Sequence, residues 1–162
     1  MPQYAVLARL GTFGPARAPL TPALSPLFAG TMSTPTPGPK SAAPRILAAE
    51  DDATTRRLIE FKLKREGFAI EIQPNGEDLI NRAPAFQPQL IILDLMMPIK
   101  DGYTTLRALK TDPILSVIPV LMLSGKNQEE DVVSCLKAGA ADYMVKPFSP
   151  EELVVRVKKL LR

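Results

Sequence analysis

Five short apolar runs recur beyond residue 44, and each is followed by a stretch with helical spacing of its apolar positions. Arg45–Ala49 reads as the first strand. Ala53–Glu66 carries Leu58, Ile59, Phe61 and Leu63 as the apolar side of a helix, and Gly67 ends it. Phe68–Ile72 alternates and predicts a second strand. Asn75-Gly76-Glu77 opens a short helix through Ala83, closed by Pro84. Leu90–Leu93 is a third strand, Thr104–Lys110 a helix, and Ile118–Leu123 a fourth strand. Glu129–Ala138 is helical and ends at Gly139; Asp142–Val145 is the fifth strand. Ser149-Pro150-Glu151-Glu152 combines a capping serine, a first-turn proline and a glutamate three residues after the serine, a strong helix start. The helix that follows turns Leu153, Val154, Val157, Leu160 and Leu161 inward and Arg156, Lys158, Lys159 and Arg162 outward. Ala48-Ala49 is a weak strand former, and burial is expected to offset that.

Strict alternation of strand and helix over about 118 residues is a (βα)5 pattern. Right-handed crossovers then give an α/β fold, a doubly wound parallel sheet with helices on both faces. The carboxyl ends of such strands share one edge, where ligands bind. Four of the five strands deliver a polar group there: Glu50-Asp51-Asp52, Asp94, Ser124 and Lys146. Carboxylates, a hydroxyl and an ammonium converging on one edge suit a divalent cation and a phosphoryl group.

Residues 1–44 read differently. They hold nine of the 17 prolines, four of the nine glycines, Arg9, Arg17 and Lys40, and no acid. Gly and Pro every few residues stop any element from propagating, so a disordered or polyproline-like tail is expected, with one domain over 45–162. A signal peptide fits poorly, because Arg9 interrupts the short apolar stretch from Tyr4 to Leu10. An acid-free leader bearing arginines also suits a transit peptide, and Met32 offers a second start. Residues 45–162 contain 17 basic and 17 acidic residues, so the net charge of +3 belongs to the tail and indicates no nucleic-acid surface. No apolar run approaches the roughly 20 residues of a membrane span. The single Cys135 excludes an intrachain disulfide and fits a reducing cytosol. The absence of histidine excludes a Ser-His-Asp triad, a His-rich zinc site and a phosphohistidine carrier.

Taken singly, each polar group has an ordinary alternative: acids at a helix start, a loop aspartate, a capping serine, a solvated lysine. Competing α/β sites fail on spacing. Ser124-Gly125-Lys126-Asn127 lacks the first glycine and final hydroxyl of a P-loop, Glu50-Asp51-Asp52-Ala53-Thr54 is no glycine-rich dinucleotide turn, and a D-x-D nucleophile loop would need an acid at Met96.

Four motifs in order, Ile46-Leu-Ala-Ala-Glu-Asp-Asp, Leu93-Asp-Leu-Met-Met-Pro98 with Asp101-Gly102, Ser124-Gly125, and Tyr143-Met-Val-Lys-Pro-Phe148, make residues 45–162 resemble a response-regulator receiver domain of two-component signalling. The resemblance implies a flavodoxin-like five-stranded sheet of order 2-1-3-4-5. It implies Asp94 as phosphoacceptor and Mg²⁺ at Asp51 and Asp94, with Glu50 acting through water and the Met96 carbonyl as a further ligand. It implies Ser124 as the hydroxyl on the phosphoryl group, Lys146 as its cation, and Tyr143 as an aromatic switch coupled to Ser124. It also implies a cis Lys146-Pro147 bond, while Asp52 is expected to cap the first helix. Met96 and Lys126 would flank the approach of hydrolytic water, and neither can act as its base, which implies slow dephosphorylation.

The function expected is a stand-alone cytoplasmic receiver taking phosphate from a histidine kinase or phosphotransfer protein and signalling to a downstream protein through its last two helices and fifth strand. It would touch neither nucleic acid nor membrane, and it would not be an enzyme turning over a separate substrate. The alternatives are a phosphorylation-independent interaction module, which the intact acid set, Ser124 and Lys146 disfavour, and a Mg²⁺-dependent phosphohydrolase, disfavoured by Met96.

Overall fold

The structure is a computed structural model, and it describes residues 42–125 and 129–162. Up to residue 41 the expected tail lies outside the described residues, as does Lys126.

The expected elements form in order: β1 Arg45–Ala49, α1 Ala53–Arg65, β2 Ala69–Gln73, α2 Gly76–Phe86, β3 Leu90–Asp94, α3 Gly102–Thr111, a single 3₁₀ turn at Leu115–Val117, β4 Val120–Ser124, α4 Glu129–Lys137, β5 Asp142–Val145 and α5 Pro150–Leu160. The five strands are parallel, in order β2-β1-β3-β4-β5, as the flavodoxin-like reading requires. The three inner strands β1, β3 and β4 are buried on both sides, and the pleat divides their side chains between two cores. Leu47, Ala49, Ile91, Leu93, Val120 and Met122 meet Leu79, Leu106, Leu109 and Cys135 from α2, α3 and α4. Ile46, Ala48, Leu90, Ile92, Leu121 and Leu123 meet Ile59, Leu63, Leu153, Val154 and Val157 from α1 and α5. Ala48 and Ala49 are fully buried, one in each core, so burial does offset their weak strand preference.

Local chemistry sets the helix starts. Asp52 accepts the Thr55 N–H at 2.7 Å and the Thr55 hydroxyl at 2.8 Å, the capping role expected of it. Asn75 caps α2 through the Asp78 N–H, and Ser149 caps α5 through the Glu152 N–H at 3.0 Å.

Some boundaries, and the buried face of α1, differ from the expectation. Helix α2 does not close at Pro84 but continues to Phe86, because proline there removes only one donor in the last turn; left-handed Gln87 (φ 52°) ends it, its N–H on the Ala83 carbonyl. Helix α3 starts at Gly102, not Thr104, because Asp101 is its cap, accepting from the Thr104 N–H at 2.8 Å. Strand β4 starts at Val120, since Pro119 has no N–H to give the ladder and contributes its carbonyl to Ile91. On α1 the buried residues are Ile59 and Leu63, whereas Leu58 and Phe61 are exposed. Arg65 lies over the Phe61 ring, which tolerates that exposure. Among the described residues no helix is long and apolar enough to cross a membrane.

Candidate functional site

The carboxyl ends of β1 and β3 bring Glu50, Asp51 and Asp94 together, each offering a carboxylate oxygen within 4.8 Å of the other two. Glu50 follows Ala49 and continues the ladder, its N–H on the Gln73 carbonyl at 3.1 Å, so the strand pins it. Its side chain is fully buried, Asp94 is nearly so, and Asp51 is exposed. From the end of β5, Lys146 reaches both buried acids, with Nζ at 2.7 Å from Glu50 Oε2 and 3.0 Å from Asp94 Oδ2. Its backbone is set by the Lys146 N–H on the Ser124 carbonyl at 2.7 Å, and the Lys146-Pro147 bond is cis, as the resemblance implies.

Burial pushes the Glu50 carboxyl above its ordinary value, Asp94 pushes it further, and the Lys146 hydrogen bond offsets part of this. Burial alone would lower the Lys146 ammonium; its hydrogen bonds to Glu50 and Asp94 outweigh that and hold it above the usual lysine value. Two buried carboxyl groups thus share one ammonium, and the Asp51 carboxyl lies beside them at the exposed mouth.

Asp94 Oδ1 accepts the Met96 N–H at 3.3 Å. The chain then turns back so that the Gly102 N–H reaches the Leu95 carbonyl at 3.0 Å. A methyl group at Gly102 would overlap the Asp94 carbonyl oxygen and lie 2.7 Å from Leu95 Cα, so only glycine lets α3 begin this close to β3. The Met96 side chain is 55% exposed beside Asp94.

Ser124 and Tyr143 come from the neighbouring strands β4 and β5. Ser124 is fully buried at the end of β4, and Tyr143 on β5 packs in the core that α2, α3 and α4 cover. Burial pushes the Tyr143 phenol above its ordinary value, and a hydrogen bond with Ser124 pulls it partly back. The structure thus brings Glu50, Asp94 and Lys146 into direct contact with the Asp51 carboxylate within 4.8 Å of the other two acids, and couples Ser124 to Tyr143. The sequence reading treated Glu50 as a metal-side acid and missed its ion pair with Lys146, 96 residues away, because such pairing depends on strand order.

Comparison with known proteins gives a consistent placement. Residues 46–158 match the response regulator receiver domain family. The chain is 42% identical over 118 residues to the transcriptional regulatory protein ResD of Bacillus subtilis (strain 168), covering 73% of this chain and 48% of ResD. It is 40% identical over 120 residues to the phosphate regulon transcriptional regulatory protein PhoB of Escherichia coli (strain K12), covering 74% of this chain and 52% of PhoB. The chain thus spans about half the length of these curated relatives. The solved structure of the chemotaxis response regulator CheY4 of Vibrio cholerae superposes with a TM-score of 0.70 at 26% identity, over 74% of this chain and 99% of that one. The chain belongs to the response regulator receiver family, the phosphoacceptor side of two-component signalling.

Proposed function

We propose that this receiver takes a phosphoryl group on Asp94 from a phosphohistidine of a kinase or phosphotransfer protein, and that Mg²⁺ assists. The observation that carries this reading is the meeting of three carboxylates and one ammonium at a single sheet edge. Hard oxygen donors at that spacing fit Mg²⁺, which keeps several waters and needs few protein ligands. Asp51, Asp94 and the Met96 carbonyl would hold it. Glu50 would act through water, since its Oε1 already accepts the Asp52 N–H and its Oε2 the lysine. When bound, Mg²⁺ supplies neutralisation of charge on the transferring oxygens.

The rest falls to the chain's own groups. An Asp94 carboxylate oxygen bonds to phosphorus, the P–N bond to the donor imidazole breaks, and its electron pair leaves with the nitrogen. Lys146, 3.0 Å from Asp94, pairs with a phosphoryl oxygen, and the Ser124 hydroxyl donates to another. Tyr143 follows Ser124. The chemistry is assigned to residues 45–162, and residues 1–44 are dispensable for it. The output is a protein contact through α4, β5 and α5, which expose Val133, Leu136, Val145 and Val155. Like other receivers the chain is a phosphoacceptor; it turns over no separate substrate.

Incubation with acetyl phosphate and Mg²⁺, followed by intact mass, tests the reading. A persistent added phosphoryl group is expected. An unchanged mass would favour a phosphorylation-independent module, and consumption of the donor without an adduct a hydrolase.

A further inference from the structure

Asp131 lies in the first turn of α4, and its Oδ2 is enclosed by protein without a hydrogen-bond partner. Among the described residues it is the buried side-chain polar atom of which this holds. An enclosed carboxylate oxygen without a donor is costly, so its place in the fold calls for a second arrangement that supplies one.

Two donors lie within reach of its charge. Cys135, one turn along α4, is almost fully buried; burial and then Asp131 push its thiol above the ordinary value. A thiol is a weak donor. Tyr143 is the stronger one. Its ring packs in the same core as Cys135, and Asp131 adds to the upward push that burial gives its phenol. In this structure that phenol is engaged with Ser124. Ser124 has a single hydroxyl proton, and committing it to a phosphoryl oxygen frees the phenol to turn elsewhere. Glu129 and Glu130, the other acids of that turn, are exposed.

We propose that Asp131 is a positioning residue for Tyr143: its Oδ2 accepts the phenol's hydrogen bond once Ser124 has turned to a phosphoryl group on Asp94. The inference rests on the function proposed above. It connects the site to α4, because the acceptor belongs to the first turn of the helix that exposes Val133 and Leu136. A change at Asp94 then alters the hold of β5 on that helix rather than ending at Ser124.

The direct test is a crystal structure of the full chain with Mg²⁺ and beryllofluoride, the stand-in for a bound phosphoryl group. The Tyr143 hydroxyl oxygen is expected about 2.7 Å from Asp131 Oδ2. A phenol still on Ser124, or on any other acceptor, overturns the inference. The solution test follows the Tyr143 ring by NMR before and after acetyl phosphate, in wild type, Asp131→Asn and Asp131→Ala, with intact mass read on each sample. All three are expected to accept phosphate. Asp131→Asn keeps an acceptor oxygen and retains the ring shift, whereas Asp131→Ala loses most of it. A full shift in phosphorylated Asp131→Ala overturns the role of Asp131 and leaves the proposed function standing. No adduct even in wild type overturns the function itself. If Asp131→Ala does not fold, the wild-type distance decides.

Discussion

Replacing Lys146 by methionine keeps the length of the side chain and removes its charge, leaving two buried carboxylates facing each other. The ammonium contacts Glu50 at 2.7 Å and Asp94 at 3.0 Å, and both partners are almost fully enclosed. Breaking a buried ion pair from one side costs roughly 3–5 kcal/mol. The Lys146 side chain is 21% exposed, so water can partly replace it, and the expected loss at pH 7 is about 3 kcal/mol. The pH dependence has a defined sign. The folded-state value of Glu50 is already raised, and removing its lysine raises it further. A carboxyl raised on folding binds a proton more tightly in the folded state, so the deficit is full above its folded value and shrinks as pH falls toward the unfolded value. Mg²⁺ adds a second signature: with one more unneutralised anion, the variant should be stabilised by the ion more than wild type is. With no tryptophan in the chain, the assay is urea unfolding followed by far-UV circular dichroism, at pH 5 and pH 7, with and without Mg²⁺. A variant as stable as wild type at pH 7, with the same response to Mg²⁺, would refute the electrostatic account of this site.

Gly102→Ala should destabilise the fold by about 2–3 kcal/mol and slow phosphoryl acceptance, because the new methyl meets the backbone of Asp94 and Leu95; a loss under roughly 0.5 kcal/mol in urea titration would show that the turn yields easily. Asp101→Ala should cost about 1 kcal/mol through the lost α3 cap. The Thr104 N–H holds the Asp101 carboxyl below its usual value, so that stabilisation is present above about pH 3.9 and is lost as pH falls through the folded value. Acid titrations of the two proteins should therefore converge at low pH, and parallel curves would count against the cap. Met96→Asn should speed loss of the phosphoryl group after the donor is removed, because an exposed thioether beside Asp94 cannot orient water and an amide can; unchanged or slower decay would refute this.

The fold was legible because apolar runs, caps and glycines agreed. Ser149 to Glu152 announced α5, and the all-apolar β3 announced a strand covered on both faces. Boundaries erred where one residue carries two meanings. Pro84 reads as a stop, yet a helix in its last turn absorbs it; the helix pattern reads from Thr104, yet Asp101 is the cap that starts α3 two residues earlier. Phe61 lies two residues from both Ile59 and Leu63, about half a turn round α1 from the buried stripe, so it does not share their face and is exposed. The polar groups of the site were legible as strand-end residues. Two of their contacts were not: Lys146 on Glu50 and the enclosed oxygen of Asp131 each depend on which strands and helices become neighbours, whereas the coupling of Ser124 to Tyr143 was implied by the resemblance.

The central claim is that Asp94 is the acceptor. Its most direct measurement is the intact mass of wild type and Asp94→Asn after acetyl phosphate and Mg²⁺, with urea unfolding to show that both are folded. The amide is nearly isosteric with the carboxylate but is not a nucleophile. Wild type should gain one phosphoryl group and Asp94→Asn none; an Asp94→Asn protein that gains phosphate to the wild-type extent would contradict the account.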